Sequence, residues 1–318
     1  MSRAFVFPGQ GSQFVGMGKD LADAFPSARE VFEQVDEALG EKLSALIFEG
    51  PEEELNLTHN TQPALMAVSI AVATVLREEA GINLHDHCAV MAGHSLGEYS
   101  ALTAAGALQL ADTARLLRTR GNAMQKAVPV GEGAMIAVLG LEMQDVEDIA
   151  QAASEDPQTK ACELANDNSP GQVVLSGHAG AIAVARDLAS EKGAKRVVEL
   201  PVSAPFHCVL MAPAAQTMAT ALADTIIRPP FVPVISNVTA KPTAEPQEIR
   251  RLLVDQITGT VRWRESVEWM GENGIEEVVE IGAGKVLNGL VRRINRDISC
   301  KAVGTVEQVE ELIKELQS

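Results

Sequence analysis

The chain has 318 residues, 46% hydrophobic and 22% charged, enough for one large core or for a core carrying a smaller inserted domain. A net charge of −17 with no long basic stripe to offset it, and only 3% aromatic residues, argue against nucleic acid binding by phosphate contact or base stacking. Cysteines at 88, 162, 208 and 300 have neither C-x-x-C nor zinc spacing, so no metal is expected and reduced thiols in a cytoplasmic protein are.

Residues 4–7 read as a short buried strand that stops at Pro8-Gly9-Gln10-Gly11-Ser12-Gln13. The apolar run after Arg3 is too short for a secretory signal. A polar, glycine-rich loop directly after a strand is how α/β proteins place functional groups at strand ends. Dinucleotide binding would need G-x-G-x-x-G, and Phe14 stands where the third glycine belongs. The Gln10 amide, by contrast, could donate a hydrogen bond toward a site. Helical patterns cover 18–39 and 52–55, and a loop is expected at 58–63. Residues 64–79 form a helix apolar nearly all round, hence buried, ended by Gly81. Its apolar run is too short to span a bilayer, and no membrane association is expected. His85-Asp86-His87 resembles a metal pair, but it lies in a polar connection without a third ligand and reads as solvated loop.

The next strand, 89–92, runs into Gly93-His94-Ser95-Leu96-Gly97, and a helix begins at Glu98. This is G-x-S-x-G between strand and helix, a sharp turn that pushes the serine out of the bend and leaves no room for neighbouring Cβ atoms. The following helix would present backbone N–H groups and its positive dipole end to an oxyanion formed beside Ser95. Chemistry on an acyl group is the natural reading.

Helix 111–127 carries Arg115, Arg118 and Arg120, of which at least two should form a solvated face. After the break at Pro129 and Gly131-Glu132-Gly133 the rhythm changes: strand 134–140, helix 144–153, strands 161–165 and 172–177, helix 181–192, strand 195–200. That βαββαβ order is the ferredoxin-like split unit. Residues 129–203 are therefore read as an insertion into a larger α/β domain made of 1–128 and 204–318.

The main domain resumes at Pro201-Val202-Ser203-Ala204-Pro205-Phe206-His207-Cys208. A serine elbow needs a base, and His207 is the best candidate by elimination. His94 lies inside the elbow, His59, His85 and His87 look like loop residues, and His178 ends an edge strand of the insert. Residues 253–269 run from a helix end through a turn into a second helix, and 278–281 is a buried strand. Gly282-Ala283-Gly284-Lys285 then opens a helix, but Val286 stands where a P-loop needs Ser or Thr. Helix 306–316 closes the pattern.

Three segments, FPGQGSQ at 7–13, GHSLGEYSAL at 93–102 and SAPFHC at 203–208, with TQPAL at 61–65 and EIGAGKVL at 280–287, resemble the malonyl-CoA:acyl-carrier-protein transacylases. The resemblance spans almost the whole chain and implies an α/β-hydrolase-like domain with a ferredoxin-like insertion. It implies Ser95 as nucleophile, His207 as base, and Gln10 with the Leu96 N–H as oxyanion hole. Arg120 would pair with the free malonyl carboxylate, which a planar guanidinium binds through two parallel hydrogen bonds. Gln256 would orient His207 through its backbone carbonyl, while Asp255, one residue earlier, is the rival that would supply a carboxylate. Met124, one helical turn beyond Arg120, Phe206 and Gln62 would line the acyl pocket, and Phe206 leaves less room for an α-branch, favouring malonyl over methylmalonyl.

The implied reaction is a two-step malonyl transfer from malonyl-CoA to the phosphopantetheine thiol of acyl carrier protein, with no permanently bound cofactor. An acidic carrier docking on an acidic enzyme requires a local basic patch, and Lys285, Arg292, Arg293, Arg296 and Lys301 form the densest one. A monomer working in fatty acid biosynthesis is expected. The competing readings are a serine thioesterase or carboxylesterase with water as acceptor, a transferase serving a polyketide pathway, and a silent carrier-docking domain.

Overall fold

The computed structural model describes residues 2–154, 160–202 and 204–317, so Ser203, the first residue of SAPFHC, lies outside the described residues. Among the described residues the strands in chain order are β1 (Arg3–Phe7), β2 (Val90–Gly93), β3 (Gly133–Leu139), β4 (Cys162–Ser169), β5 (Gln172–His178), β6 (Arg196–Glu199), β7 (Val234–Ile235), β8 (Pro242–Thr243), β9 (Val261–Arg262), β10 (Glu277–Ile281) and β11 (Ser299–Val303). They make two sheets, ordered β11-β10-β1-β2-β7-β8 and β6-β3-β5-β4-β9. The first is parallel from β11 to β7, with β8 antiparallel at its edge.

The parallel strands are buried on both faces, which is why they read as continuous apolar runs. Alternate residues serve two cores. Phe5, Phe7, Met91, Val279 and Ile281 face the large cluster containing helix Thr58–Ala80, while Ala4, Val6, Val90, Ala92 and Val278 face Trp263, Val267 and Leu290. In the second sheet Ile136, Val138 and Leu175 pack on helices Met143–Ser154 and Ala179–Glu191. Met135, Ala165 and Val174 instead join the large cluster, which attaches this sheet to the rest of the molecule.

Register sets the working edge. Phe7 pairs with Gly93 and Val6 with Glu280, so β1, β2 and β10 end together and their loops lie side by side. Glu280 is fully buried, and its two oxygens accept the N–H groups of Leu287 and Asn288 at 3.1 and 2.9 Å, capping helix Val286–Ile294 from the neighbouring strand.

Several elements depart from the sequence expectations. Helix 18–39 is two helices, Lys19–Ala24 and Pro26–Leu39, because Phe25 precedes a proline and takes an extended conformation with φ −122° and ψ 120°. The expected loop at 58–63 is the first turn and a half of helix Thr58–Ala80, with Pro63 inside it, so His59 is helical. Proline has no N–H for the carbonyl four residues back. That carbonyl belongs to His59, and Arg118 Nη1 donates to it at 2.7 Å and to Asn60 Oδ1 at 2.5 Å. Arg118 also pairs with Glu41, so of the three arginines on helix Leu110–Lys126 only Arg115 forms a solvated face. His178 ends β5, which lies inside its sheet between β3 and β4, not at an edge. The short strand β9, from outside 129–203, pairs parallel with β4, a pairing too brief to carry a sequence signal.

Arg118→Ala is expected to cost about 1–3 kcal/mol, the penalty of a partly buried acceptor left without its donor. Pro63→Ala in the same chain restores an N–H for His59 and should recover part of that loss. Urea unfolding of the two single variants and the double variant checks this, and strict additivity would contradict it.

Candidate active site

Ser95 sits at the bend between β2 and helix Leu96–Ala104 with φ 53° and ψ −109°, a strained conformation for a residue with a side chain. The two motif glycines are required by close approach. A Cβ on Gly93 would meet the Gly97 carbonyl oxygen at 1.9 Å, and one on Gly97 would meet the Phe7 carbonyl oxygen at 2.3 Å. Asn237, at the end of β7, fastens the bend: its Oδ1 accepts Ser95 N–H at 2.7 Å and its Nδ2 donates to Gly93 O at 2.7 Å.

His207 Nε2 lies 2.9 Å from Ser95 Oγ, and its Nδ1 lies 2.8 Å from the Gln256 carbonyl oxygen. A carbonyl only accepts, so Nδ1 carries the proton and Nε2 presents its lone pair to the serine hydroxyl. Asp255 does not face the histidine. Its carboxylate is exposed and pairs with Arg251 at 2.7 Å, so of the two expected orienting groups the one in contact with His207 is the Gln256 carbonyl. Burial, and then the Arg120 charge, push the His207 imidazole down to about pKa 3, so the ring is neutral at pH 7.

Arg120 is buried, 1% exposed. Its Nη1 donates to Gln62 Oε1 at 2.8 Å, and its Nη2 to Gln256 Oε1 at 2.9 Å and Ser95 Oγ at 3.0 Å. Among the described residues its Nε has no hydrogen-bond partner and no carboxylate is in contact with it, Glu98 acting on it only across Gln256. The Tyr99 ring lies 5.7 Å from the guanidinium carbon. The buried carboxylate in this network is Glu98, whose Oε2 accepts from Asn237 N at 3.0 Å and Gln256 Nε2 at 2.7 Å.

These groups border a cavity of about 110 Å³ lined by Gln10, Gln62, Ser95, Leu96, Arg120, Met124, Phe206 and His207 together with His94 and four residues of the second sheet and its exit. Gln10 Nε2 lies 3.4 Å from Thr58 Oγ1, and Gln62 Nε2 3.8 Å from Met124 Sδ. Gln256 stands behind the cavity wall. Lys285, Arg292, Arg293 and Arg296 lie outside the cavity on the surface, and Lys301 is engaged by Glu277 and Glu315. Sequence reasoning missed Met135, Asn166, Leu200 and Val202, which close the cavity from the second sheet. It also missed Asn168, 2.8 Å from His94 Nε2, and Asn237. Their strands carry no motif. Glu98 did carry a signal, a carboxylate in the otherwise apolar and buried run LGEYSAL. Among the described residues no group of three or more His, Cys, Asp or Glu could hold a metal ion, and no helix is long and apolar enough to cross a membrane.

Residues 4–317 match the family model described as an acyl transferase domain. The malonyl CoA-acyl carrier protein transacylase of Bacillus subtilis (strain 168) is 46% identical over 314 residues, 99% of this chain and 97% of that protein. The crystal structure of an acyl-carrier-protein-S-malonyltransferase from Bartonella henselae matches with a TM-score of 0.96 at 55% identity, covering 100% of both chains. A type II PKS acyl-carrier protein in complex with its malonyl-transacylase, PlMCAT:AntF, contains a chain that matches with a TM-score of 0.94 at 42% identity, covering 99% of this chain and 100% of that one.

The depressed His207 pKa has a defined effect on stability. Unfolding returns the ring toward its ordinary value of 6.5, so the unfolded chain binds more protons as pH falls below that value. The His207 contribution is therefore complete above pH 6.5 and is lost progressively toward pH 3. On acidification from about pH 7.5 to about pH 5, the folded protein should lose about 2 kcal/mol more than the His207→Gln variant. Denaturant titrations at the two pH values check the difference, and equal losses would show that the ring is not held neutral.

Proposed function

The chain belongs to the acyl transferase family, and we propose that it transfers a malonyl group from malonyl-CoA to the phosphopantetheine thiol of acyl carrier protein in fatty acid biosynthesis. The observation that carries this reading is the buried Arg120 guanidinium, which touches Ser95 Oγ and, among the described residues, no carboxylate. A buried charge with only a distant counter-ion, Glu98 across Gln256, is costly, and a substrate that brings a carboxylate into the pocket supplies one in contact. A neutral acyl chain does not.

In the first half-reaction Ser95 Oγ attacks the thioester carbonyl carbon while His207 Nε2 takes the hydroxyl proton. The tetrahedral oxyanion is held by Gln10 Nε2 and the Leu96 backbone N–H at the helix N-terminus. Collapse breaks the C–S bond, and the imidazolium returns its proton to the departing CoA thiolate. In the second half-reaction His207 takes the proton of the carrier's pantetheine thiol, the thiolate attacks the malonyl ester, and Ser95 leaves with that proton. Gln256 holds the His207 tautomer through its carbonyl, and Gln62 aims Arg120. Met124 and Phe206 form apolar wall beside the acyl group, leaving little room for an α-branch. No bound cofactor takes part, and the enzyme works as a cytoplasmic monomer, in keeping with four unpaired cysteines.

In the same reading, 1–128 and 204–318 form an α/β-hydrolase-like domain and 129–203 a ferredoxin-like insertion. The strand-helix-strand-strand-helix-strand order of β3 to β6, and their antiparallel pairing as β6-β3-β5-β4, support the second name.

Mixing radiolabelled malonyl-CoA with the protein, with and without holo acyl carrier protein, tests the reaction: label held on Ser95 and passed to the carrier is expected, and rapid free malonate regardless of carrier would indicate a thioesterase. Arg120→Ala should lower malonyl transfer by about 2–5 kcal/mol in kcat/KM, roughly 30- to 5,000-fold, the usual loss on truncating one side of a buried charge pair. Acetyl loading should not fall with it.

The carrier-docking surface is proposed on helix Val286–Ile294 and its ends. Lys285 is the N-cap residue of that helix and follows Gly284, on which a Cβ would lie 3.4 Å from the Ser12 carbonyl oxygen. Arg292, Arg293 and Arg296 continue the exposed basic face, with Arg293 Nη1 reaching Gln172 of β5 at 2.6 Å. Exchanging Arg292 and Arg293 for glutamate should raise KM for the carrier and leave that for malonyl-CoA unchanged. Equal effects on both substrates would reject this face.

A further inference from the structure

A serine elbow with a histidine base ordinarily has an acid behind the histidine, and here a backbone carbonyl occupies that place. A carbonyl fixes the tautomer but carries no charge to offset an imidazolium. In this pocket the imidazolium would form next to Arg120, a second buried cation. Glu98 supplies an anion one residue behind. It is 2% exposed, and its Oε2 accepts at 2.7 Å from the side chain of Gln256, the residue whose carbonyl oxygen receives His207 Nδ1–H. The same Oε2 accepts at 3.0 Å from the backbone N–H of Asn237, whose side chain fastens the Ser95 bend from both sides. Gln256 Nε2 also donates to Ser95 O at 3.0 Å. One carboxylate oxygen thus joins the segment holding the base to the segment holding the nucleophile.

We propose that Glu98 is a positioning residue that takes the part of the absent triad acid: acting through Gln256, its charge keeps His207 aligned on Ser95 and offsets the imidazolium formed when Ser95 is acylated. This rests on the assignment of Ser95 and His207 as nucleophile and base.

The charged and titratable groups facing Glu98 are Arg120 from helix Leu110–Lys126, Tyr99 on its own helix, and His207 across Gln256; Ser236, Asn237 and Gln256 complete its surroundings as neutral donors. Burial pushes the Glu98 carboxyl up to about 7, against the pull of Asn237, Gln256 and Arg120. Its charge is therefore lost as pH falls through neutrality, while His207 stays unprotonated to far lower pH. A role through charge predicts an acid limb near pH 7 in the rate of Ser95 acylation that belongs to Glu98 and not to the base.

The experiment is rapid-quench mass spectrometry of malonyl-Ser95 formation from malonyl-CoA, across about pH 5 to 9, on the wild-type chain, E98Q and E98D. E98Q keeps an oxygen for Asn237 and Gln256 and removes only the charge. Its maximal acylation rate should fall on the order of 10- to 100-fold, less than the roughly 10,000-fold loss for a directly bonded triad acid because the charge acts through Gln256. Its KM for malonyl-CoA should stay unchanged and the limb near pH 7 should vanish. E98D should be slower than wild type yet keep an acid limb, because the titrating carboxylate remains. An E98Q profile that superposes on that of wild type overturns the proposal, as does one uniformly lowered that keeps the same limb. Should E98Q fail to fold, E98D decides alone, and a rate and limb identical to wild type overturn the proposal. A wild-type chain that never acylates Ser95 overturns the assignment beneath it as well, and so is distinguishable from failure of Glu98 alone.

Discussion

An arginine only 1% exposed and, among the described residues, without a carboxylate in contact is the constraint around which this structure is arranged. Desolvating a guanidinium costs several kcal/mol unless its donors are met. Here Nη1 and Nη2 are met by neutral oxygens, Gln62 Oε1, Gln256 Oε1 and Ser95 Oγ, each from a different part of the chain, while Nε has no partner among the described residues. Such oxygens satisfy hydrogen-bond geometry without cancelling the charge. The Arg120 charge therefore adds to burial, the larger cause, in keeping His207 neutral and able to accept a proton, and on the proposed function it favours an anionic acyl group over a neutral one.

The positions of these residues follow from backbone contacts made elsewhere. Phe7 and Gly93 are register partners, and the Phe7 carbonyl lies where a Gly97 side chain would begin. The Gln10 loop and the Ser95 bend are thus locked together by sheet pairing before any side chain contributes. Pro63 has a comparable effect on Gln62. It removes one helical hydrogen bond, Arg118 substitutes for it, and the helix continues, so Gln62 is carried on a rigid element facing Arg120.

What was legible in the sequence divides along the same physical line. The elbow was legible because its glycines answer a steric demand that no other residue meets, and the strands of the main sheet because both of their faces are buried. His207 could be reached by elimination, since a base must be a side chain. Gln256 could not be derived from the residues, because it works on His207 through a carbonyl that every residue possesses, and only the family resemblance pointed to it. Asn166, Asn168 and Asn237 were illegible for a different reason. They are polar residues whose partners lie 70 or more positions away, or across the cavity, and nothing local distinguishes them from ordinary loop asparagines. The Thr58–Pro63 segment was misread because the rule that proline ends helices assumes an orphaned carbonyl, and Arg118 removes that premise.

The charges in the pocket can be followed through the reaction. Before substrate binds, Arg120 and Glu98 are opposed across Gln256, whose Oε1 accepts from the one and whose Nε2 donates to the other. The amide stands between them, and among the described residues no direct salt bridge joins the two. In the proposed reaction a malonyl carboxylate offsets the Arg120 charge from the cavity side and relieves the part of the His207 depression that Arg120 causes, burial remaining the larger part. A neutral acyl group leaves both parts in place. On that proposal the substrate's charge bears on the readiness of the nucleophile, because one guanidinium donates to Ser95 Oγ and faces the carboxylate.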